Sequence, residues 1–270
     1  MAISEQASTI FSSQVAATAY HFLLLLAVGA GLWMTWGEWR RARSERARRW
    51  LVAMAGVVVV RGIFVLAALL GSLGLIDRAA FLPPLERFAD LVTVGFLAWA
   101  LLPQSWHRAR GWNWFFGANL VLAIAACVTF TIFWLSEPPS GPEANYNTTW
   151  QAIAWAAWEL ALISLAVLAI LRDRGVAWGT FFAAMIVLFA GTLLQLLAPA
   201  NVLHLPLWQR TGNLIAYLLV AVGIYQDTVA GLRVHSREMQ DISQASLDQI
   251  KNLVRLLDAS QQVSDSLDLD

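Results

Sequence analysis

Residues 51–75 read LVAMAGVVVVRGIFVLAALLGSLGL, a run that carries a single charge, on Arg61. A helix needs about 20 predominantly apolar residues to cross the hydrocarbon core of a bilayer, so this run is long enough to do so. It is also far longer than an ordinary strand, and a helix satisfies its own backbone hydrogen bonds in lipid. The run therefore predicts a transmembrane helix.

Six further stretches of comparable length and apolarity lie on either side of this run. The predicted spans are residues 15–36, 51–75, 86–103, 113–136, 149–171, 177–199 and 206–226. They predict an all-α membrane protein, a bundle of seven transmembrane helices occupying residues 15–226 in a lipid bilayer. Residues 1–14 are expected to form a short extracytoplasmic segment.

The composition of the whole chain supports this class. Of its 270 residues, 59% are hydrophobic and 13% are charged, whereas an ordinary soluble domain carries about a quarter charged residues. The 18 basic side chains balance the 18 acidic ones, so net charge gives no argument for a nucleic-acid partner. Cys127 is the only cysteine, which excludes an internal disulfide and a thiolate metal cage. No catalytic motif and no cofactor motif is found, so neither an activity nor a cofactor is predicted from these residues.

Arginines follow the first, third, fifth and seventh predicted spans. They are Arg40, Arg41, Arg43, Arg46, Arg48, Arg49, Arg108, Arg110, Arg172, Arg174, Arg233 and Arg237. Basic residues accumulate in cytoplasmic loops of membrane proteins. The pattern therefore predicts a multi-pass protein of the cell membrane with its N-terminus outside and its C-terminus in the cytoplasm.

Ionisable and polar side chains lie inside the predicted spans, where a charge is costly and usually faces protein. Arg61 and Glu159 each lie about ten residues into a span, at a depth of roughly 15 Å for a rise of 1.5 Å per residue. Equal depth and opposite charge predict an ion pair between them. The other candidates for a ligand site or a switch are Asp90, Trp155, Trp158, Gln195, Arg210, Asn213 and Tyr217.

Two interpretations of this polar set remain open. The side chains could line an outward-facing cavity for a small amphiphilic ligand, since binding pockets combine apolar walls with a few polar groups. They could instead hold helices together, each group neutralising another.

The chain becomes polar beyond the seventh span. Gly231 is the last glycine and no proline follows it, so a helix can continue. A heptad pattern threads through residues 227–258, with Leu232, Met239, Ile250, Leu253 and Leu257 at its apolar positions. Several other seam positions are serine, which predicts a marginal coiled-coil connector that pairs two copies of the chain. A single solvated amphipathic helix is the alternative.

Residues 253–270, LVRLLDASQQVSDSLDLD, resemble the helix that opens a GAF domain, where a connector ends in a Ser-Leu-Asp-Leu-Asp run. Seven spans ahead of such a helix are similar to bacterial sensor proteins in which a membrane module precedes a GAF domain and then a histidine kinase or related output domain. The resemblance implies a sensor module in two-component-type signalling, with residues 259–270 as the start of the GAF domain. A transporter or channel, and a passive membrane anchor, are the competing functions.

Overall fold

The structure, a computed structural model, describes residues 14–107, 110–136, 145–198 and 206–267. These residues form helices and contain no strand, so the all-α prediction is confirmed. Most of the predicted N-terminal segment, residues 1–13, lies outside the described residues. So do residues 268–270 of the predicted GAF start and the side chain of Leu257.

Each predicted span falls on a long helix of the structure. In chain order the helices are α1 (Gln14–Ala42), α2 (Glu45–Ser72), α3 (Arg78–Leu101), α4 (Gln104–His107), α5 (Arg110–Ser136), α6 (Trp150–Arg172), α7 (Trp178–Leu197) and α8 (Leu207–Leu267). A 3₁₀ turn, Tyr146–Thr148, precedes α6.

Six helices among the described residues are long and apolar enough to cross a membrane, namely α1, α2, α5, α6, α7 and α8. The chain is thus a multi-pass membrane protein by the length and composition of its helices. Helix α3, which coincides with the predicted span 86–103, is not among the six. Glu86, Arg87 and Asp90 place three charges within five residues of this helix, which lowers its mean hydropathy.

Helix α3 packs against α2, α5 and α6. Its residues from Glu86 to Ala100 are mostly buried by these neighbours. A helix enclosed by protein does not have to be soluble in lipid, because its polar groups can find partners on other helices. The helix that carries three of the buried charges is therefore also among the best buried.

Helix α5 has the opposite character. Its apolar side chains are largely exposed, including Val121 at 65%, Leu122 at 60% and Ile132 at 60%. Such a continuous apolar surface suits contact with lipid rather than with water.

A link of two residues joins α1 to α2. Arg43 has a φ of +46°, a left-handed conformation that commonly ends helices. The Ser44 hydroxyl then accepts a hydrogen bond from the Ala47 amide at 3.1 Å, which caps the first turn of α2. The tight link fixes where the arginines at the start of α2 lie.

The chain divides into two compact units, at Gln226 and Asp227. The helix itself has no break between residues 226 and 235. Within the second unit, apolar side chains lie on one face of α8 and are exposed, among them Met239 at 57%, Ile250 at 56% and Leu253 at 61%. Leu232 is 42% exposed.

Helices α7 and α8 approach each other closely at two glycines. A Cβ atom built on Gly191 would lie 3.0 Å from the carbonyl oxygen of Trp208 and 3.1 Å from the Cα atom of Gly212. Both neighbours are backbone atoms, which cannot rotate away. Close backbone contact at small residues is a common way to pack membrane helices.

We therefore expect Gly191→Ala to lower the free energy of unfolding by about 1–3 kcal/mol, the usual penalty of overpacking. Titration of the detergent-solubilised protein with SDS measures it. Gly62→Ala is the control, since a Cβ atom there meets nothing within 4 Å. Equal stability of the two variants would refute the close approach.

Candidate functional site: a buried charge network

Six ionisable side chains gather inside the bundle, and each is at most 4% exposed. We call them the buried charge network: Arg61, Glu86, Arg87, Asp90, Glu159 and Arg210. Three are cationic and three are acidic, so their formal charges cancel. Cancellation is what a low-dielectric interior requires, because an unpaired buried charge is strongly unfavourable.

Asp90 joins three helices. Its Oδ1 atom accepts a hydrogen bond from Nη2 of Arg61 at 2.6 Å and another from Nδ2 of Asn213 at 2.9 Å. Arg61 also donates to the Tyr217 hydroxyl at 3.4 Å, and its Cζ atom lies 5.4 Å from the centre of the Tyr217 ring. One carboxylate on α3 thus ties α2 to the first half of α8.

Glu86 and Arg210 form a second ion pair, which joins α3 to α8. Arg210 donates from Nε to Oε1 at 2.7 Å and from Nη2 to Oε2 at 2.8 Å. This two-pronged geometry is the strongest arrangement of an arginine and a carboxylate. The Tyr20 ring of α1 covers the guanidinium, with Cζ 5.4 Å from the ring centre.

Arg87 binds the 3₁₀ turn that precedes α6. Its Nη2 atom donates to Oδ1 of Asn147 at 2.6 Å, and the Asn147 amide donates to Oδ1 of Asn145 at 3.0 Å. Tyr146, in the same turn, is fully buried. Burial raises the pKa of the Tyr146 phenol to about 12, so it stays protonated at neutral pH. The Asn147 side chain gives Arg87 a neutral, polar partner.

Glu159 has neutral partners on two helices. It accepts hydrogen bonds from Nε2 of Gln209 at 2.6 Å and from the Thr192 hydroxyl at 3.3 Å. The predicted ion pair of Arg61 with Glu159 is therefore wrong, because Arg61 is bound to Asp90. Similar depth in the bilayer does not determine which way each helix is rotated about its axis.

The remaining candidates make contacts outside the buried charge network. Gln195 accepts a hydrogen bond from the Trp208 amide at 3.1 Å and so caps the start of α8. Trp155 and Trp158 stack with ring centres 5.9 Å apart, and Trp158 donates to Oδ1 of Asn119 at 2.8 Å. Trp155 is buried, whereas Trp158 is only partly buried.

Several members of the site were not among the sequence candidates. Glu86 and Arg87 lie at the edge of the predicted third span and carry the same signal as Asp90, an ionisable side chain in an apolar stretch, whereas Tyr20, Asn147 and Thr192 carry no signal for a buried polar site. A usable signal for Glu86 was its spacing from Asp90, because residues four apart share one face of a helix.

Some buried polar atoms of the network, and one of its partner Gln209, have no hydrogen-bond partner among the described residues. These are Nε and Nη1 of Arg61, Oδ2 of Asp90, Nη1 of Arg210 and Oε1 of Gln209. Buried polar groups are usually bonded. The network therefore has spare donors and acceptors for an alternative pairing.

No group of three or more metal-ligating side chains occurs in the part of the chain that the structure describes. Comparison of the chain with protein families, curated proteins and solved structures finds no match. Function therefore has to be inferred from the chemistry of the network and of α8.

We expect Arg61→Met to lower the free energy of unfolding by about 3–5 kcal/mol, because it leaves the Asp90 carboxylate buried without its cation. The double variant Arg61→Met with Asp90→Leu should recover more than about half of that loss, because no stranded charge remains. SDS titration of both variants measures the coupling. Additive losses would show that the two side chains do not depend on each other.

Proposed function

We propose that this chain is the membrane input module of a signalling protein. In this proposal the buried charge network sets the position of α8, and α8 passes a change of position to a cytoplasmic output region. The supporting observation is that α8 supplies hydrogen-bond partners to side chains on three other helices. Gln209, Arg210, Asn213 and Tyr217 all lie in the first three turns of α8 and bond to side chains on α2, α3 and α6.

In the same proposal α3 crosses the membrane as a seventh span. Its 24 residues are long enough for the hydrocarbon core, and its charges are neutralised by protein rather than exposed to lipid. An odd number of spans then places the two termini on opposite sides of the membrane. The positive-inside rule assigns the arginine-rich loops, and with them the C-terminus, to the cytoplasm.

The network can act as a switch because it has two properties. Its ion pairs are directional and buried, so an intermediate arrangement in which a charge has no partner is strongly disfavoured. Its spare donors and acceptors permit a second set of pairs. A bundle with two discrete arrangements responds to any stimulus that binds or stabilises one of them better than the other.

The second unit supplies the proposed output connection. Met239, Ile250 and Leu253 lie on one face of α8, whereas Asp241 and Asp248 lie on the other. An exposed apolar stripe of this kind is typical of a helix that pairs with a partner. We infer that two copies of the chain pair here, ahead of the GAF-type domain that residues 253–270 resemble.

Single cysteines at Met239 and at Leu253 should form disulfide-linked dimers in membranes, because both positions belong to the proposed seam. The background is Cys127→Ser, which removes the only native thiol. Cysteines at Asp241 and Asp248, on the opposite face, are the matched controls. Non-reducing gel electrophoresis after mild oxidation gives the yield. Equal yields on both faces, or none on either, would contradict the pairing.

Signalling through α8 also predicts that Asn213→Leu changes the yield of those disulfides. Removing a hydrogen bond to a charged group is worth about 1.5–3 kcal/mol, enough to shift a two-state equilibrium about tenfold or more. Thr211→Val is the control, since the Thr211 hydroxyl bonds only within its own helix, to the carbonyl of Leu207.

If the chain is only a passive anchor, Asn213→Leu should leave the disulfide yield unchanged. SDS titration has to show that the variant is folded. Solute flux into vesicles that contain the purified protein would instead favour a transporter or channel, because a signalling module has no reason to conduct.

A further inference from the structure

A second site lies away from the buried charge network, in a groove between α2 and α5. Both helices pack against α3, and Val92, Phe96 and Trp99 of α3 form the floor of the groove. The cavity has a volume of about 300 Å³, at the lower end of the range for small-molecule sites.

Two glycines line this groove, and a third lies against its Phe96 ring. A Cβ atom on Gly56 would lie 2.5 Å from the Phe96 ring, so this ring lies directly on the backbone of α2. Gly95 and Gly117 line the groove without side chains of their own. A Cβ atom on Gly117 would meet nothing within 4 Å, so a larger side chain at this position has room to enter the cavity.

The groove is apolar along most of its length and cationic at one end. Phe96, Phe116 and Leu120 supply apolar surface, whereas Arg48 and Arg49 lie at the start of α2 with Glu45. One carboxylate against two guanidinium groups leaves a net positive charge, and the N-terminus of a helix adds to it. The groove is therefore complementary to an amphiphile with an anionic head group.

Arg49 is the most informative residue of the groove lining. It is only 5% exposed, and its Nη1 atom donates to the carbonyl of Leu102 at 3.0 Å. Its Nε atom is buried without a hydrogen-bond partner among the described residues. Arg48 differs, because it is 62% exposed and lies 2.7 Å from Glu45, where solvent weakens the pair. Both arginines can thus donate to an added anion.

We propose that this groove binds one anionic phospholipid of the surrounding bilayer. The phosphate lies at Arg48 and Arg49, and an acyl chain follows Phe96 and Phe116. Two observations favour a membrane lipid over a water-soluble anion. The α5 wall belongs to the least buried of the six candidate spans among the described residues, and its Phe115 and Val121 are exposed. Basic pockets between membrane helices are also a recurrent way to hold anionic headgroups. This proposal does not depend on the signalling function.

Photo-crosslinking tests the proposal on the purified full chain in mild detergent. The probes are phosphatidylglycerol with a diazirine in its acyl chain and the matching phosphatidylcholine. Mass spectrometry of peptides locates the label. We expect phosphatidylglycerol to label residues 92–99 and 113–120, at least about fivefold more than phosphatidylcholine does, a preference of about 1 kcal/mol. Unlabelled phosphatidylglycerol should compete.

Gly117→Leu fills the groove and should abolish that label, whereas Gly111→Leu, on the same helix but outside the groove, should not. Arg48→Gln should lower the preference for phosphatidylglycerol about two- to fivefold, as expected for a solvent-exposed charge. Arg41→Gln is its control, because Arg41 is exposed and lies outside the groove. SDS titration establishes that each variant is folded.

Label that survives Gly117→Leu, or equal labelling by the two lipids, would overturn the proposal. Competition by inorganic phosphate as strong as that by phosphatidylglycerol would also overturn it, because the site would then be one for a soluble anion.

Discussion

The pairing of charges inside the bundle is the constraint on which the rest of the structure depends. Asp90 and Glu86 of α3 each hold an arginine that comes from another helix. Lipid offers such groups no alternative partner, and an isolated buried charge is worth several kcal/mol of destabilisation. The ion pairs therefore select the register of α2 and α8 against α3. The apolar side chains around them, which are less directional, fill the space that this register leaves.

Helix α3 explains how a membrane bundle can contain such a polar element. It lies among α2, α5 and α6, so protein rather than lipid surrounds its charges. Helix α5, beside it, has the converse arrangement, with apolar side chains exposed along its length. The two helices are of similar length, so the difference in their exposure follows from their positions in the bundle. Hydropathy measures the preference of side chains for an apolar phase and takes no account of partners that other helices supply.

In the proposed function, the same network gives α8 a role beyond anchoring. Its first turns contribute Gln209, Arg210 and Asn213 to three different carboxylates. A change in any of these pairs changes the forces on one helix, which is the property that an input module needs. The groove between α2 and α5 is a separate feature, built on glycines and on the arginines that begin α2. If it holds an anionic lipid, membrane composition becomes a second influence on the helices around α3.

The sequence by itself determined the helical class, the position of each long helix and the presence of costly polar groups within them, because apolar length and intramembrane charge are local properties of the chain. It also indicated the amphipathic face of α8, since heptad spacing is local too. Only the tertiary structure decided that Arg61 binds Asp90 and not Glu159, and that Gly191 meets Gly212. The spans are apolar on nearly all sides, so their sequences carry little information about rotation. Partner choice depends on that rotation, and it is fixed only when all the helices pack together.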